Sequence, residues 1–186
     1  MLPAPGVLTI RAVQAKAHPR TELRKALGQF ATGITIVTTR AADGLPAGLT
    51  VNSFSSVSLD PPLALWCLGL SSAHYDVFRL AEQQLINVLA ADQIELAQRF
   101  ATRGADRFAG VAWSPTDTGL PRLDGCTAWF ECGVRSRYEE GDHLILVCRI
   151  ESFEVAGGQP LIFHDSRYVT ELAESPPPRL PRSRRG

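Results

Sequence analysis

The sequence predicts a mainly β protein, an antiparallel barrel with short helical inserts. Three observations carry this: runs rich in β-branched residues that alternate in character, hairpin signals at Asp43-Gly44 and Glu140-Gly141-Asp142, and only short stretches with helical spacing of apolar residues. A doubly wound sheet needs strands in regular alternation with helices, and that alternation is missing. The 186 residues suit one domain with its own core.

Each element has a local reason. Thr21 is placed to cap a short helix with Leu23, Leu27 and Phe30 on one face. Residues 33–40 form a β-branched strand, Asp43-Gly44 turns it, and residues 45–52 return as its partner. Residues 57–59 extend the chain to Asp60-Pro61-Pro62, which interrupts it, and 63–67 read as a strand buried on both faces. Ser71 or Ser72 is expected to cap a helix reaching Leu80, and residues 85–90 form a further strand. Asp92 with Glu95 three positions on reads as the start of a helix carrying Leu96 and Phe100. Residues 104–124 are turn-rich. From 126 to 155 two long alternating strands meet at Gly141, and 161–163 and 167–172 supply the last short strands. The folded part is thus expected over 20–172, between a loose arm at 1–19 and a disordered Pro/Arg-rich tail at 173–186.

Composition narrows the function classes. Formal net charge is zero, so no global field draws in nucleic acid or a membrane. The N-terminal residues show no signal-peptide pattern, and the longest apolar run, 62–70, is too short to span a bilayer. Cys67, Cys126, Cys132 and Cys148 form no C-x-x-C pair and have no histidines at zinc spacing. Cys126 and Cys132 read as small buried hydrophobes, and reduced thiols suit a cytoplasmic protein. His18, His74, His143 and His164 are scattered, so no metal site is expected. The Rossmann, P-loop and serine-elbow motifs are all absent.

One stretch is unusual: Ala47-Gly-Leu-Thr-Val-Asn-Ser-Phe-Ser-Ser-Val-Ser-Leu-Asp-Pro-Pro62. Small and hydroxyl side chains dominate where a packed strand would be bulkier. Such residues let a flat ligand approach the backbone, whose N–H and C=O groups then read its polar edge. A Ser/Thr-rich exposed edge strand has the same composition, and on physical grounds both readings stand.

The order of several segments resembles the flavin reductase family with the FMN-binding split barrel, the reductase components of two-component monooxygenases. Those segments are Leu27-Gly-Gln-Phe-Ala-Thr-Gly-Ile-Thr-Ile-Val-Thr-Thr39, the stretch just quoted, Ile86-Asn-Val-Leu89, Phe108-Ala-Gly110 and Gly141-Asp-His143. The resemblance runs from about Leu23 to Tyr168. It implies an antiparallel split barrel and NAD(P)H:flavin oxidoreductase activity. Hydride would pass from NADH or NADPH to FMN or FAD, and reduced flavin would go to a separate oxygenase. It also implies a homodimer.

Site residues follow from the same resemblance. Pro46, Ala47, Gly48, Leu49 and Thr50, with Asn52 and Ser53, would line the flavin ring and ribityl chain. Cys67, Leu68 and Gly69 would follow at the end of the next strand. Ser72, Ala73 and His74 fall where the family holds the flavin phosphate, and a helix opening at Ser71-Ser72 would offer it free N–H groups. Arg99 and Phe100 match a further flavin-contacting pair, although Arg99 alone reads as a surface arginine. His143 would face flavin and nicotinamide as the candidate catalytic residue, whereas a lone histidine at a strand start is usually structural. Phe163, His164 and Tyr168 match the segment that helps hold the nicotinamide. There His164 and Asp165 replace the family's common aromatic-and-Arg pair, leaving the choice of NADH or NADPH open. Cys148-Arg149 stands where the family often has glycine. A non-catalytic flavin- or haem-binding module on the same barrel is the alternative. A split-barrel oxidase of a phosphorylated vitamin would need more basic phosphate ligands than the sequence offers.

Overall fold

A computed structural model describes residues 19–170. Residues 1–18 and 171–186 lie outside them, and with them all but Pro19 of the arm expected at 1–19 and the whole tail expected at 173–186. The described residues form three helices, α1 (Arg20–Leu27), α2 (Tyr75–Leu80) and α3 (Ile94–Ala101). They also form twelve strands: β1 (Thr32–Gly33), β2 (Thr35–Arg40), β3 (Pro46–Val51), β4 (Ser55–Leu59), β5 (Pro62–Gly69), β6 (Gln83–Val88), β7 (Trp113–Pro115), β8 (Pro121–Leu123), β9 (Ala128–Glu140), β10 (His143–Val155), β11 (Ile162–His164) and β12 (Arg167–Val169). Every strand pair is antiparallel.

Seven strands form one sheet in the order β3-β2-β6-β9-β10-β5-β4. Its two edge strands, β3 and β4, are joined only by residues 52–54. From Val51 to Ser55 such a link spans at most roughly 14 Å. The sheet must therefore curl until its edges approach without pairing, which is the split in the barrel. Ser53 stands in that gap: its Oγ accepts from Cys67 N at 2.9 Å and donates to Cys67 O at 3.3 Å. The barrel interior holds Val37, Ala47, Val51, Trp66, Leu68, Phe78, Ile86, Cys132, Leu144, Leu146 and Cys148. A second core lies outside β2 and β6, where Phe100 and Ala97 of α3 pack with Ile36, Leu85, Leu123 and Leu161. Asn87 joins these parts. Its amide donates to Ile36 O (2.9 Å) and Thr38 Oγ1 (3.2 Å) and accepts from Leu123 N (3.0 Å).

Several expected details change. Thr21 does not cap α1, whose N-cap is Pro19, two residues earlier, with the Pro19 carbonyl accepting from Glu22 N and Leu23 N. Leu23, Leu27 and Phe30 face solvent, and α1 buries no residue. The strand expected over 33–40 breaks at Ile34, whose amide bonds Leu161 O and whose carbonyl accepts from Leu89 N. Residues 71–74 are not helical. One turn closes from Ser72 N to Gly69 O and a second from Tyr75 N to Ser72 O, so the six-residue α2 starts only at Tyr75. Gln93 rather than Asp92 stands at the N-cap of α3, and its side chain bonds Ala90 N and Asp124 O instead of capping. The turn-rich 104–124 contains the small β7–β8 hairpin. Cys126 and Cys132 are buried as expected, and Cys148 with them.

Candidate active site

Three segments meet at one rim of the barrel: β3, the two turns after β5, and the chain from the end of α3 to Arg107. They enclose a hollow of about 260 Å³. Leu49 and Thr50 form one wall, Gly69, Ser71, Ser72 and Ala73 a second, and Phe100, Ala101, Arg103 and Arg107 the third. The second wall carries only small side chains, so its backbone is accessible. Thr50 Oγ1 is already committed, donating to Ala97 O at 2.7 Å and fixing β3 to α3. Gly48 lies behind the wall. A Cβ there would fall 2.6 Å from Cε1 of Phe100, so only glycine fits without displacing that ring.

His143 opens β10 directly opposite Gly69 on β5. Its Nε2 is 3.8 Å from where a Cβ on Gly69 would stand, which sets the imidazole beside the hollow's second wall. Nδ1 lies 2.7 Å from Oδ1 of Asp142. A carboxylate only accepts, so Nδ1–H donates, and in the neutral ring Nε2 is left as the acceptor. The bond from His143, with its charge and that of Arg20 adding to it, holds the Asp142 carboxyl below the usual carboxylate range. Arg20 Nη2 reaches the other oxygen, Oδ2, at 3.4 Å. At the other end of α1, Gly28 O accepts from Asp165 N at 2.8 Å. That helix thereby connects the His143 corner to the β11–β12 turn.

Arg107 is half buried. It donates to Gly48 O (2.7 Å) through Nη1 and to Thr102 O through Nε (3.3 Å) and Nη2 (3.1 Å). Arg103 Nη2 reaches Ser71 O at 3.4 Å. His74, beside the second wall, has its pKa lowered by burial and then by the charge of Arg107. Burial raises the Cys67 thiol, partly offset by its Ser53 bond.

The structure brings together Gly48, Leu49, Thr50, Gly69, Ser72, Ala73 and Phe100, with His143 alongside. Pro46, Ala47, Asn52, Ser53, Cys67, Leu68 and His74 flank these on the same strands and turns but do not line the hollow; Ala47 and Leu68 point into the barrel core. Arg99 points elsewhere. It donates to Ala109 O and borders a separate hollow with Asp92, Glu95 and Asp124. Phe163, His164 and Tyr168 belong to the three-stranded sheet β1-β11-β12, where the Phe163 and Tyr168 rings meet edge to face at 5.4 Å. None of the three borders the hollow. Sequence reasoning missed Arg103 and Arg107, which lie in an aperiodic stretch. The one signal was that Arg107 immediately precedes Phe108-Ala-Gly110. A larger hollow of about 500 Å³, bordered by Pro61, Gly133, Arg135, Arg149 and Glu151, contains no expected site residue.

Residues 27–171 match the family described as flavin reductase like domain. The chain belongs to the flavin reductase family. A flavin reductase relative, the reductase component of the flavin-dependent trigonelline monooxygenase of Acinetobacter baylyi, is 42% identical over 154 residues, 83% of this chain. The chain spans only 50% of that protein's length and 48% of a second curated relative's. Among solved structures, nitrilotriacetate monooxygenase component B from Mycobacterium thermoresistibile is similar, with TM-score 0.82, 33% identity and coverage of 89% of this chain and 93% of that one. The NADH:FAD oxidoreductase SgcE6 of Streptomyces globisporus, solved in complex with NAD and FAD fragments, gives TM-score 0.80 and 32% identity over 84% of this chain and 95% of that one. The flavin reductase fold is thus an antiparallel split barrel here as in those neighbours. No helix among the described residues is long and apolar enough to cross a membrane.

Proposed function

We propose that this chain is an NAD(P)H:flavin oxidoreductase that reduces FMN or FAD and releases it to a separate monooxygenase. The observation that carries the reading is the hollow between β3, Gly69–Ala73 and Arg107, with His143 at its side, in a chain of this family. When bound, the two cofactors supply the chemistry, a hydride passing from nicotinamide C4 to flavin N5.

The chain's own task is placement. The small-residue walls admit a flat ring against the backbone, while Phe100, locked against Gly48, sets the depth. The aligned rings must bring the reacting atoms to roughly 3–3.5 Å. Backbone N–H groups near Thr50 to Ser53 are the candidates to stabilise negative charge on a reduced ring. His143, its tautomer fixed by Asp142, is the candidate to orient the nicotinamide or hold a proton at Nε2. Phe163, His164 and Tyr168 are assigned to the nicotinamide side, reached across α1.

A homodimer is part of this reading. Leu65, Cys67, Ile145 and Val147 on β5 and β10 are only partly buried, and Val57 and Tyr138 are exposed beside them. A second copy covering this apolar face would bring its own chain close to Cys67 and His143. Four free thiols suit a reducing cytoplasm.

The test is steady-state oxidation of NADH and NADPH with riboflavin, FMN and FAD in turn. Turnover that requires added flavin is expected with at least one nicotinamide. No flavin-stimulated turnover with either would sink the reading. A bound flavin that neither nicotinamide bleaches would instead indicate a binding module.

A further inference from the structure

The hollow of about 500 Å³ on the outer face of β9 and β10 is bordered by three charged side chains, Arg135, Arg149 and Glu151, with Pro61, Gly133 and Val134. The ion pairs among the described residues are made by other groups: Arg20 and His143 with Asp142, Arg79 with Asp76, Arg122 with Glu154 and Arg137 with Glu82. The backbone explains how the three come to share one space without pairing. Val147 stands opposite Ser136 and Cys148 opposite Val134, which leaves Arg135 as an extra residue on β9. Ile150 stands opposite Cys132 and Ser152 opposite Glu131, which leaves Glu151 as an extra residue on β10. A bulge bends its strand and re-aims a side chain. Between the two bulges Arg149 faces Gly133, so bare backbone forms the floor. A Cβ on Gly133 would fall 2.6 Å from Oε1 of Glu151, so the carboxylate stands on that floor. Like charges on neighbouring strands are unfavourable, and Glu151 neutralises neither arginine by contact. Two cations and one acid, held apart round one space, suit a molecule with the opposite arrangement. Its carboxylate would take the parallel N–H donors of the arginines, and its cationic nitrogen would meet Glu151. Pro61 and Val134 offer apolar surface to its body. The volume falls within the roughly 300–1,000 Å³ of small-molecule sites.

We infer that this hollow is a second binding site, for a small zwitterion with an apolar body, of the amino-acid class. Both ends of such a ligand are read: a pure anion would meet Glu151, and a pure cation would meet Arg135 and Arg149. The site shares no residue with the hollow between β3, Gly69–Ala73 and Arg107. Arg149 lies six residues along β10 from His143, roughly 20 Å away, so the ligand does not touch the reacting rings. Arg149 also follows Val147 on the outward side of β10, which sets the hollow at the edge of the apolar face assigned above to a second copy.

The test is titration calorimetry of the full chain with three molecules on one skeleton. These are phenylalanine, 3-phenylpropionate, which lacks the ammonium, and phenethylamine, which lacks the carboxylate. A hydrogen bond to a charged group is worth roughly ten- to a hundredfold in affinity. Phenylalanine is expected to bind tighter than either analogue by about that ratio. R149A and R135A should weaken phenylalanine and 3-phenylpropionate and leave phenethylamine unchanged. E151Q should bring phenylalanine down to the level of 3-phenylpropionate. G133A, whose methyl would displace the Glu151 carboxylate, should resemble E151Q. The three charged side chains are exposed, so their variants should keep the urea midpoint of the wild type. No saturable binding of phenylalanine at millimolar concentration would overturn the proposal. So would equal affinity for all three molecules, or phenylalanine affinity unmoved in R135A, R149A and E151Q. Binding that appears only when dilution separates the copies would assign the hollow to a second copy and overturn it as well. Loss of flavin-stimulated nicotinamide oxidation would remove the reductase activity and leave these affinities standing.

Discussion

Gly48 and Phe100 occupy one space: the position a Cβ on residue 48 would take lies 2.6 Å from Cε1 and 3.0 Å from Cδ1 of that ring. Phe100 is fully buried and meets Phe108 edge to face at 5.0 Å, which blocks its retreat toward that ring. Gly48→Ala should therefore cost about 1–3 kcal/mol by overpacking. Phe100→Ala should cost about 3–5 kcal/mol through the cavity left. In urea unfolding the double variant should lose less than the sum, because removing the ring makes room for the methyl. Strictly additive losses would show that the two do not share that space.

His143→Ala should slow flavin reduction, measured by stopped-flow bleaching under NADH, more than it weakens flavin binding. Asp142→Asn should act in the same direction and less strongly, since an amide no longer requires Nδ1–H and the Nε2 acceptor is lost from part of the population. Unchanged reduction kinetics in His143→Ala would take this residue out of the mechanism.

His74 gives a pH dependence. Burial and Arg107 disfavour its charged form, so its folded pKa lies below the ordinary value of about 6.5. Between the two values the unfolded chain binds more protons, and stability rises with pH across that window. The penalty is absent well above about pH 6.5 and fully felt below the folded value. An NMR titration should place the His74 midpoint below that of a model histidine, and His74→Gln should flatten the decline in denaturant midpoint on acidification. A midpoint at or above the model value would refute the assignment.

Thiol reactivity should divide one against three. Burial pushes Cys126 up to about 12 and Cys148 up to about 11, and raises Cys132 as well. The thiolate is the reacting form, so these three should resist an aromatic disulfide reagent until the chain unfolds. Cys67, partly exposed on β5, should be the one labelled in the native chain when no second copy covers that face, and should be protected on dimerisation. Rapid native labelling of a second thiol would contradict the barrel interior described above.

The β9–β10 hairpin was legible because its signals are local: alternation fixes the faces, and Gly141 supplies the turn with φ 61°. The small-residue stretch from Ala47 was legible for the same reason. The split was not, since it depends on the two edges of a seven-stranded sheet approaching across residues 52–54, and nothing near Ser53 announces Cys67 as its partner. The fate of α1 was hidden too. Leu23 and Leu27 have the spacing of a buried face, yet spacing says which side is apolar and not whether anything covers it. Arg103 and Arg107 were lost because the chain leaves α3 at Thr102 in an extended conformation, ψ 133°, which ends the helical period that placed Leu96 and Phe100.

Trp66 has a consequence of a different kind. Its indole is fully buried, donates to Gln84 Oε1 at 2.9 Å and stands edge-on to Phe78. It also sits three residues before Gly69 on the same strand, about 10 Å along β5 from the hollow's wall. A dry, immobile indole emits at short wavelength, in the region where oxidised flavin absorbs. The chain therefore carries its own optical gauge: occupancy of the hollow should dim Trp66 by energy transfer, and bleaching of the ring should brighten it again, without any label.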